Sequence, residues 1–203
     1  MNEVEVRSRV DGRTLRAERT RQAITDAHLA LLEEGDLRPT AERIAERAGV
    51  SLRALWSNFK DTEGLFAAAG ERLMQRQLAE FRAVPPQLPL PERIERYCAQ
   101  RARMLEIIAP ATRAARIREP FSPQLRKNRQ WYLDVDRQEI ETLFAAELAG
   151  AGPNRGEILD ALSAAATFSG WSVWRDDLGL DVPAATAVLR RVVSALLPPV
   201  ASA

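Results

Sequence analysis

Between Thr40 and Leu65 the chain reads TAERIAERAGVSLRALWSNFKDTEGL, and no other stretch restricts the fold so tightly. Thr40, after Pro39, is a good N-cap for a short helix over about 41–47. Gly49 breaks that helix where a left-handed backbone suits glycine, and Ser51 caps a second short helix reaching about Phe59. Ile44, Ala45, Ala48, Val50 and Leu55 supply apolar contacts that lock the two helices at a steep angle. Ala45 has to be small because the helices cross closely there. The expected arrangement is a helix-turn-helix, in which the second helix is the one that enters the major groove of DNA.

The residues around that second helix fit this geometry. Ser51, Arg53, Ser57, Asn58 and Lys60 lie on or beside it, with Leu52, Ala54 and Trp56 interleaved. An arginine reads guanine edges bidentately and an asparagine suits adenine. Hydroxyls such as those of Thr40, Ser51 and Thr62, with helix N-terminal amides, suit phosphate oxygens. Between Leu37 and Lys60 five basic residues (Arg38, Arg43, Arg47, Arg53, Lys60) stand against Glu42 and Glu46. The segment is locally positive although the whole chain, with 29 basic and 28 acidic residues, has a formal net charge of only +1.

These residues resemble the N-terminal domain of the TetR (tetracycline repressor) family. The family signature runs Thr…Ile-Ala…Ala-Gly-Val-Ser…Tyr-x-x-Phe…Lys-x-x-Leu. Thr40, Ile44-Ala45, Ala48-Gly49-Val50-Ser51, Phe59 and Leu65 match it. The resemblance is strong over roughly 14–66 and architectural beyond. Trp56 stands where the family has a phosphate-contacting tyrosine, and its indole N–H can still donate to a phosphate. Thr62 stands where the family has a backbone-gripping lysine, with Lys60 two residues earlier as the nearest replacement. The resemblance implies a homodimeric repressor that binds double-stranded operator DNA and is released by a small-molecule effector.

Helical periodicity covers the flanks. Residues 1–13, with Arg7, Arg9 and Arg13 among Glu3, Glu5 and Asp11, are expected to be a flexible basic arm. Ile24, Ala27, His28, Leu31 and Leu32 then mark one buried face of a first helix stopped by Gly35. Asp61 caps a fourth helix from Thr62 to about Ala83, and the prolines from Pro85 to Pro91 read as a linker. A fifth helix should end before Pro110, and a short sixth should span about 111–118. Ser122-Pro123 opens a seventh to about Ala149, Asn154 with Glu157 an eighth to about Leu178, and Asp181-Pro183 a ninth ending at Pro198-Pro199. No segment alternates with period two, so the expectation is an all-α protein of about nine helices. Its expected parts are the arm, a helix-turn-helix domain at 14–66, and a ligand-binding and dimerisation domain at 67–203.

That last region resembles the family only in architecture. Ala161, Ala165, Ser169, Gly170 and Ser172 make a small-residue surface on the eighth helix, which permits close approach in a two-fold interface, and Val188 and Val192 would join it from the ninth. A tightly packed pair of helices within one chain is the alternative. A hydrophobic effector would need apolar and aromatic walls. Candidates are Phe81, Met104, Ile108, Phe121 and Trp131, with Phe168, Trp171 and Trp174; each is otherwise ordinary core. Arg175 is a candidate anchor for an anionic group, with Arg118 a second, if not simply solvated or paired.

Other chemistry finds little support. Cys98 is the only cysteine, so no internal disulfide or Cys-based zinc site can be assembled, and with the only histidine, His28, inside the expected helix-turn-helix domain, a Ser-His-Asp triad has no imidazole elsewhere. No catalytic residue, metal or cofactor is expected. The N-terminal segment lacks an apolar core and no run approaches 18 apolar residues, which predicts a cytoplasmic protein with no membrane partner. Three readings follow: a repressor switched by a ligand; a DNA-binding dimer whose C-terminal part only dimerises or binds a protein; and a helical small-molecule-binding protein or enzyme.

Overall fold

The structure, a computed structural model, describes the backbone of residues 3–197 and the side chains of residues 14–197. Ten α-helices and no strand occur among the described residues. They are α1 (Glu3–Glu33), α2 (Ala41–Arg47), α3 (Leu52–Asn58), α4 (Thr62–Glu80) and α5 (Leu90–Arg118). There follow α6 (Pro123–Leu143), α7 (Ala145–Gly150), α8 (Arg155–Ala165), α9 (Phe168–Ser172) and α10 (Val182–Leu196). None of the described helices is long and apolar enough to cross a membrane. The chain divides into two compact units, Met1–Arg76 with Pro110–Arg126, and Gln77–Ala109 with Lys127–Ala203.

Local chemistry sets most helix ends. Gly35 and Gly49 stand at φ +90° and +67°, which side-chain-bearing residues avoid, and so stop α1 and the α2 turn. Asp181 accepts from the Ala184 amide at 2.8 Å at the start of α10. The prolines 198 and 199, expected to end that helix, lie outside the described residues.

Elsewhere the elements differ from expectation. Residues 3–13 belong to α1 instead of forming a flexible arm. That segment holds no proline, and its Glu and Arg residues are good helix formers, so Gly12 alone does not break it. The side chains of Arg7, Arg9 and Arg13 lie outside the described residues. Helix α5 continues past Pro110, merging the expected fifth and sixth helices. Each flank of the proline is held in its own core: Ile108 and Ala109 in the second unit, Ala114 in the first. Burial on both sides outweighs the lost backbone hydrogen bond.

The expected seventh helix divides at Phe144 (φ −112°, ψ 27°), whose fully buried ring sits edge-on to Tyr97 at 5.5 Å. The expected eighth divides at Thr167, whose extended backbone and hydroxyl, accepting from the Gly170 amide at 3.2 Å, start a new helix. A Cβ on Gly170 would sit 2.9 Å from the carbonyl oxygen of Ala165, so glycine lets α9 abut the last turn of α8. A π-helical turn, Val173–Asp177, follows α9. Asn154 makes no side-chain cap; a 3-10 turn, Gly152–Asn154, precedes α8 instead.

In the first unit Ile24 and Leu31 of α1, Ile44 and Ala45 of α2, Leu55 of α3, Phe59, and Leu65 and Ala68 of α4 form one buried cluster. Leu29, Leu32, Ala69, Leu73 and Ala114 form another. The second cluster carries the unit beyond residue 66, to Arg76, and draws in the end of α5.

The second unit packs Ile94, Tyr97 and Cys98 of α5 against Ile140 and Leu143 of α6, Leu148 of α7, Leu159 and Leu162 of α8, and Leu189 and Val193 of α10. Burial pushes the Cys98 thiol up to about 12, as suits an unreactive core residue. Two guanidinium groups lie inside this unit. Arg93 pairs with Glu147 at 2.5 Å and also donates to the carbonyls of Leu88 and Leu143. Arg101 pairs bidentately with Asp136 and donates to the carbonyl of Ala166 at 2.7 Å. Removing one partner of such a pair would leave a buried charge uncompensated.

His28 lies buried on α1, its ring 6.2 Å from that of Phe66. Burial, with Arg118 nearby and against the opposing pull of Asp36, lowers its pKa from 6.5 to about 4. The folded state therefore holds a neutral ring that the unfolded chain protonates below 6.5. Stability from this group is complete above that pH and is lost as pH falls toward 4, a swing of about 3 kcal/mol. Unfolding titrations of the native chain and His28→Leu at pH 7 and pH 4 should show that difference in pH dependence. Parallel pH profiles would contradict it.

Candidate nucleic-acid interface

The short α2 and α3 are capped alike. Thr40 Oγ1 accepts from the Arg43 amide at 3.3 Å, and Ser51 Oγ accepts from the Ala54 amide at 3.1 Å. Between them the Val50 amide donates to the Ala45 carbonyl at 2.9 Å, closing the turn around Gly49. Leu55 and Phe59 are buried, so the inner side of α3 faces the α1–α2–α4 cluster. The opposite side presents Leu52, Arg53, Trp56 and Ser57 to solvent, with Ser51 and Lys60 at its two ends. The helix-turn-helix geometry expected from the sequence is present.

The ten candidate DNA contacts differ in availability. Thr40 and Thr62 are exposed, the latter as the first residue of α4, while Ala54 is half-buried. Ser57 Oγ donates to the Ala54 carbonyl at 2.9 Å. Asn58 is half-buried and its side-chain amide donates to the same carbonyl at 2.8 Å, so it is turned into its own helix. Arg43 pairs with Asp36 at 2.5 Å and Arg47 with Glu34 at 2.6 Å, which offsets much of the expected positive patch. Arg53 and Lys60 are exposed and make no hydrogen bond or ion pair with other described residues.

Two residues hold this surface in roles that the sequence does not signal. Arg21 of α1 donates from Nη1 to the Asn58 carbonyl at 2.8 Å and lies 4.2 Å from the Phe59 ring centroid. Its positive charge thus sits at the C-terminal end of α3, where a cation is favoured. Glu63, in the first turn of α4, accepts from Ser122 Oγ and from the Gln124 amide, both at 2.9 Å. It ties the start of α6 to the segment that follows α3. Neither contact has a local signal, since the partners lie 37 and 59 or more residues apart.

The other candidate residues lie elsewhere. Phe121 belongs to the first unit and is 87% exposed. Of those in the second unit, Ile108, Phe168 and Trp171 share one buried cluster, with Trp174 packed against it. Met104 is also buried, whereas Phe81 and Trp131 are exposed. Arg175 donates from Nε to Glu106 at 3.1 Å and from Nη1 to the Leu180 carbonyl. The same Glu106 carboxylate accepts from Trp171 Nε1 at 2.7 Å. Of the small-residue set, Ser172 is buried, Ser169 is exposed, and Ala161, Ala165, Gly170, Val188 and Val192 are half-buried.

The chain matches no family model and no curated protein. Its fold is similar to the crystal structure of a transcriptional regulator from Rhodococcus sp. Rha1, with a TM-score of 0.65 at 21% identity. That likeness covers 89% of this chain and 95% of the other, so it extends over both units.

Arg53 and Lys60 should behave differently on DNA. Lys60→Ala should weaken binding to all duplexes alike and lower the salt slope by about one. Arg53→Ala should instead cost about 1–3 kcal/mol at one base pair and relax preference there. Fluorescence anisotropy across a salt series and a panel of point-mutated duplexes separates the two.

Proposed function

We propose that the protein is a sequence-specific DNA-binding transcriptional regulator of the TetR type. It acts as a homodimeric repressor on double-stranded operator DNA. The observation that carries this reading is α3, held rigidly from inside by Leu55, Phe59 and Arg21 while Arg53 and Lys60 stand uncommitted on its outer side. A charged side chain with no partner among the described residues suits a charged partner. The likeness to a transcriptional regulator supports the reading at the level of fold.

A two-fold dimer is proposed because one chain presents a single recognition helix, whereas an operator of two half-sites needs two. The outer face of α10 is suited to the contact: Ala187, Val188, Ser194 and Ala195 form a shallow open groove with Arg190 and Arg191. Val192, half-buried on the same helix, and the small residues Ala161, Ala165 and Ser169 would extend it. Gly170 is already required small by the Ala165 carbonyl, so the exposed Ser169 is the cleaner position to perturb.

For the effector, the proposed place is the second unit, around Ile108, Phe168, Trp171 and Trp174. The same packing favours a second reading, a dimer whose second unit has no small-molecule ligand. Ile108, Phe168 and Trp171 are each no more than 7% exposed, as in a filled core, and Arg175 already has its partners.

Selection from random duplexes with the full chain tests the proposal. The expected result is enrichment of a two-fold-symmetric sequence with half-sites about 10 base pairs, or a multiple of that, from centre to centre. No enrichment over the input pool would overturn it.

A further inference from the structure

The outer side of α3 is notable for what it lacks. Of its polar side chains, Ser51 Oγ caps the helix, Ser57 Oγ is bonded to the Ala54 carbonyl, and the Asn58 amide donates to that same carbonyl. Arg53 alone of these four polar side chains makes no hydrogen bond or ion pair with other described residues. Beside it stand two side chains with broad apolar surfaces one helical turn apart, Leu52 at 37% exposure and Trp56, whose indole also carries one N–H, at 39%. No core cluster of the first unit includes either of them, and both lie next to the cation that would meet DNA.

We infer that Leu52, backed by Trp56, reads thymine methyl groups in the operator, next to a guanine read by Arg53. In the major groove thymine is the one base whose edge carries an apolar group, the C5 methyl. The other base edges offer only donors and acceptors, which Leu52 would leave unpaired. Arg53, adjacent in sequence, suits the O6 and N7 acceptors of guanine. The half-site is therefore expected to set a guanine beside thymine. This inference rests on the DNA-binding reading above and adds to it the chemistry of the bases recognised.

Deoxyuridine in place of thymidine removes the methyl and nothing else, so it is the direct probe. The best duplex from the selection is remade with each thymidine replaced in turn, and affinities for the native chain are measured by anisotropy. One or two positions per half-site should each lose about fourfold, the equilibrium value of burying one carbon. In Leu52→Ala the loss at one of those positions should fall below twofold, while preference for the guanine persists. Leu52 is exposed and alanine is a better helix former, so this variant should keep the native melting temperature.

Undiminished binding of every deoxyuridine duplex would overturn the inference while leaving DNA recognition standing. A full fourfold loss persisting at every position in Leu52→Ala would overturn it as well. Failure to bind any duplex would instead remove the DNA-binding reading itself.

Discussion

The contact between Arg21 and the end of α3 is the constraint on which the rest of this surface depends. A helix of seven residues is far below the length that holds together in water. Its geometry must come from outside. Leu55 and Phe59 give it a buried side, and Arg21 fixes its end by bonding the Asn58 carbonyl and stacking on the Phe59 ring. Because one guanidinium holds both the last carbonyl and the ring that follows, α3 can neither unwind at that end nor roll about its axis without breaking both contacts. An exposed face that cannot roll is what a groove-reading helix requires.

The same logic extends along the chain within the first unit. Asp61 caps α4 by accepting from the Gly64 amide at 2.9 Å, and Glu63 two residues on holds the first turn of α6. The end of α5 contributes Ala114 to the cluster beneath α1 and α4. A unit that begins as a contiguous stretch to Arg76 is thus completed by residues 110–126, which enter through α5 and leave through α6. The chain passes from one unit to the other at Pro110, inside a continuous helix.

Much of this was readable from local chemistry. Thr40, Ser51 and Asp61 as caps, and Gly35 and Gly49 as helix stops, act through bonds or torsions within a few residues, and the structure places each in that role. The all-α class followed from the same periodicity. What could not be read depends on neighbours distant in sequence. Pro110 would end an isolated helix, but burial of Ala109 and Ala114 carries α5 past it. Arg43 and Arg47 count as free charge in a sequence, yet Asp36 and Glu34 pair with them. Asn58 has the chemistry to read adenine, but its amide is bonded to its own helix. Thr167 caps α9 through the Gly170 amide, a role open to any threonine and masked here by the apolar periodicity around it.

In the proposed function, α3 is the element that meets DNA. Hydrogen–deuterium exchange on the full chain, with and without a selected operator duplex, tests it most directly. Slower exchange on DNA binding is expected across the amides of residues 51–60. Unchanged exchange there, with protection confined to α8 and α10, would contradict it.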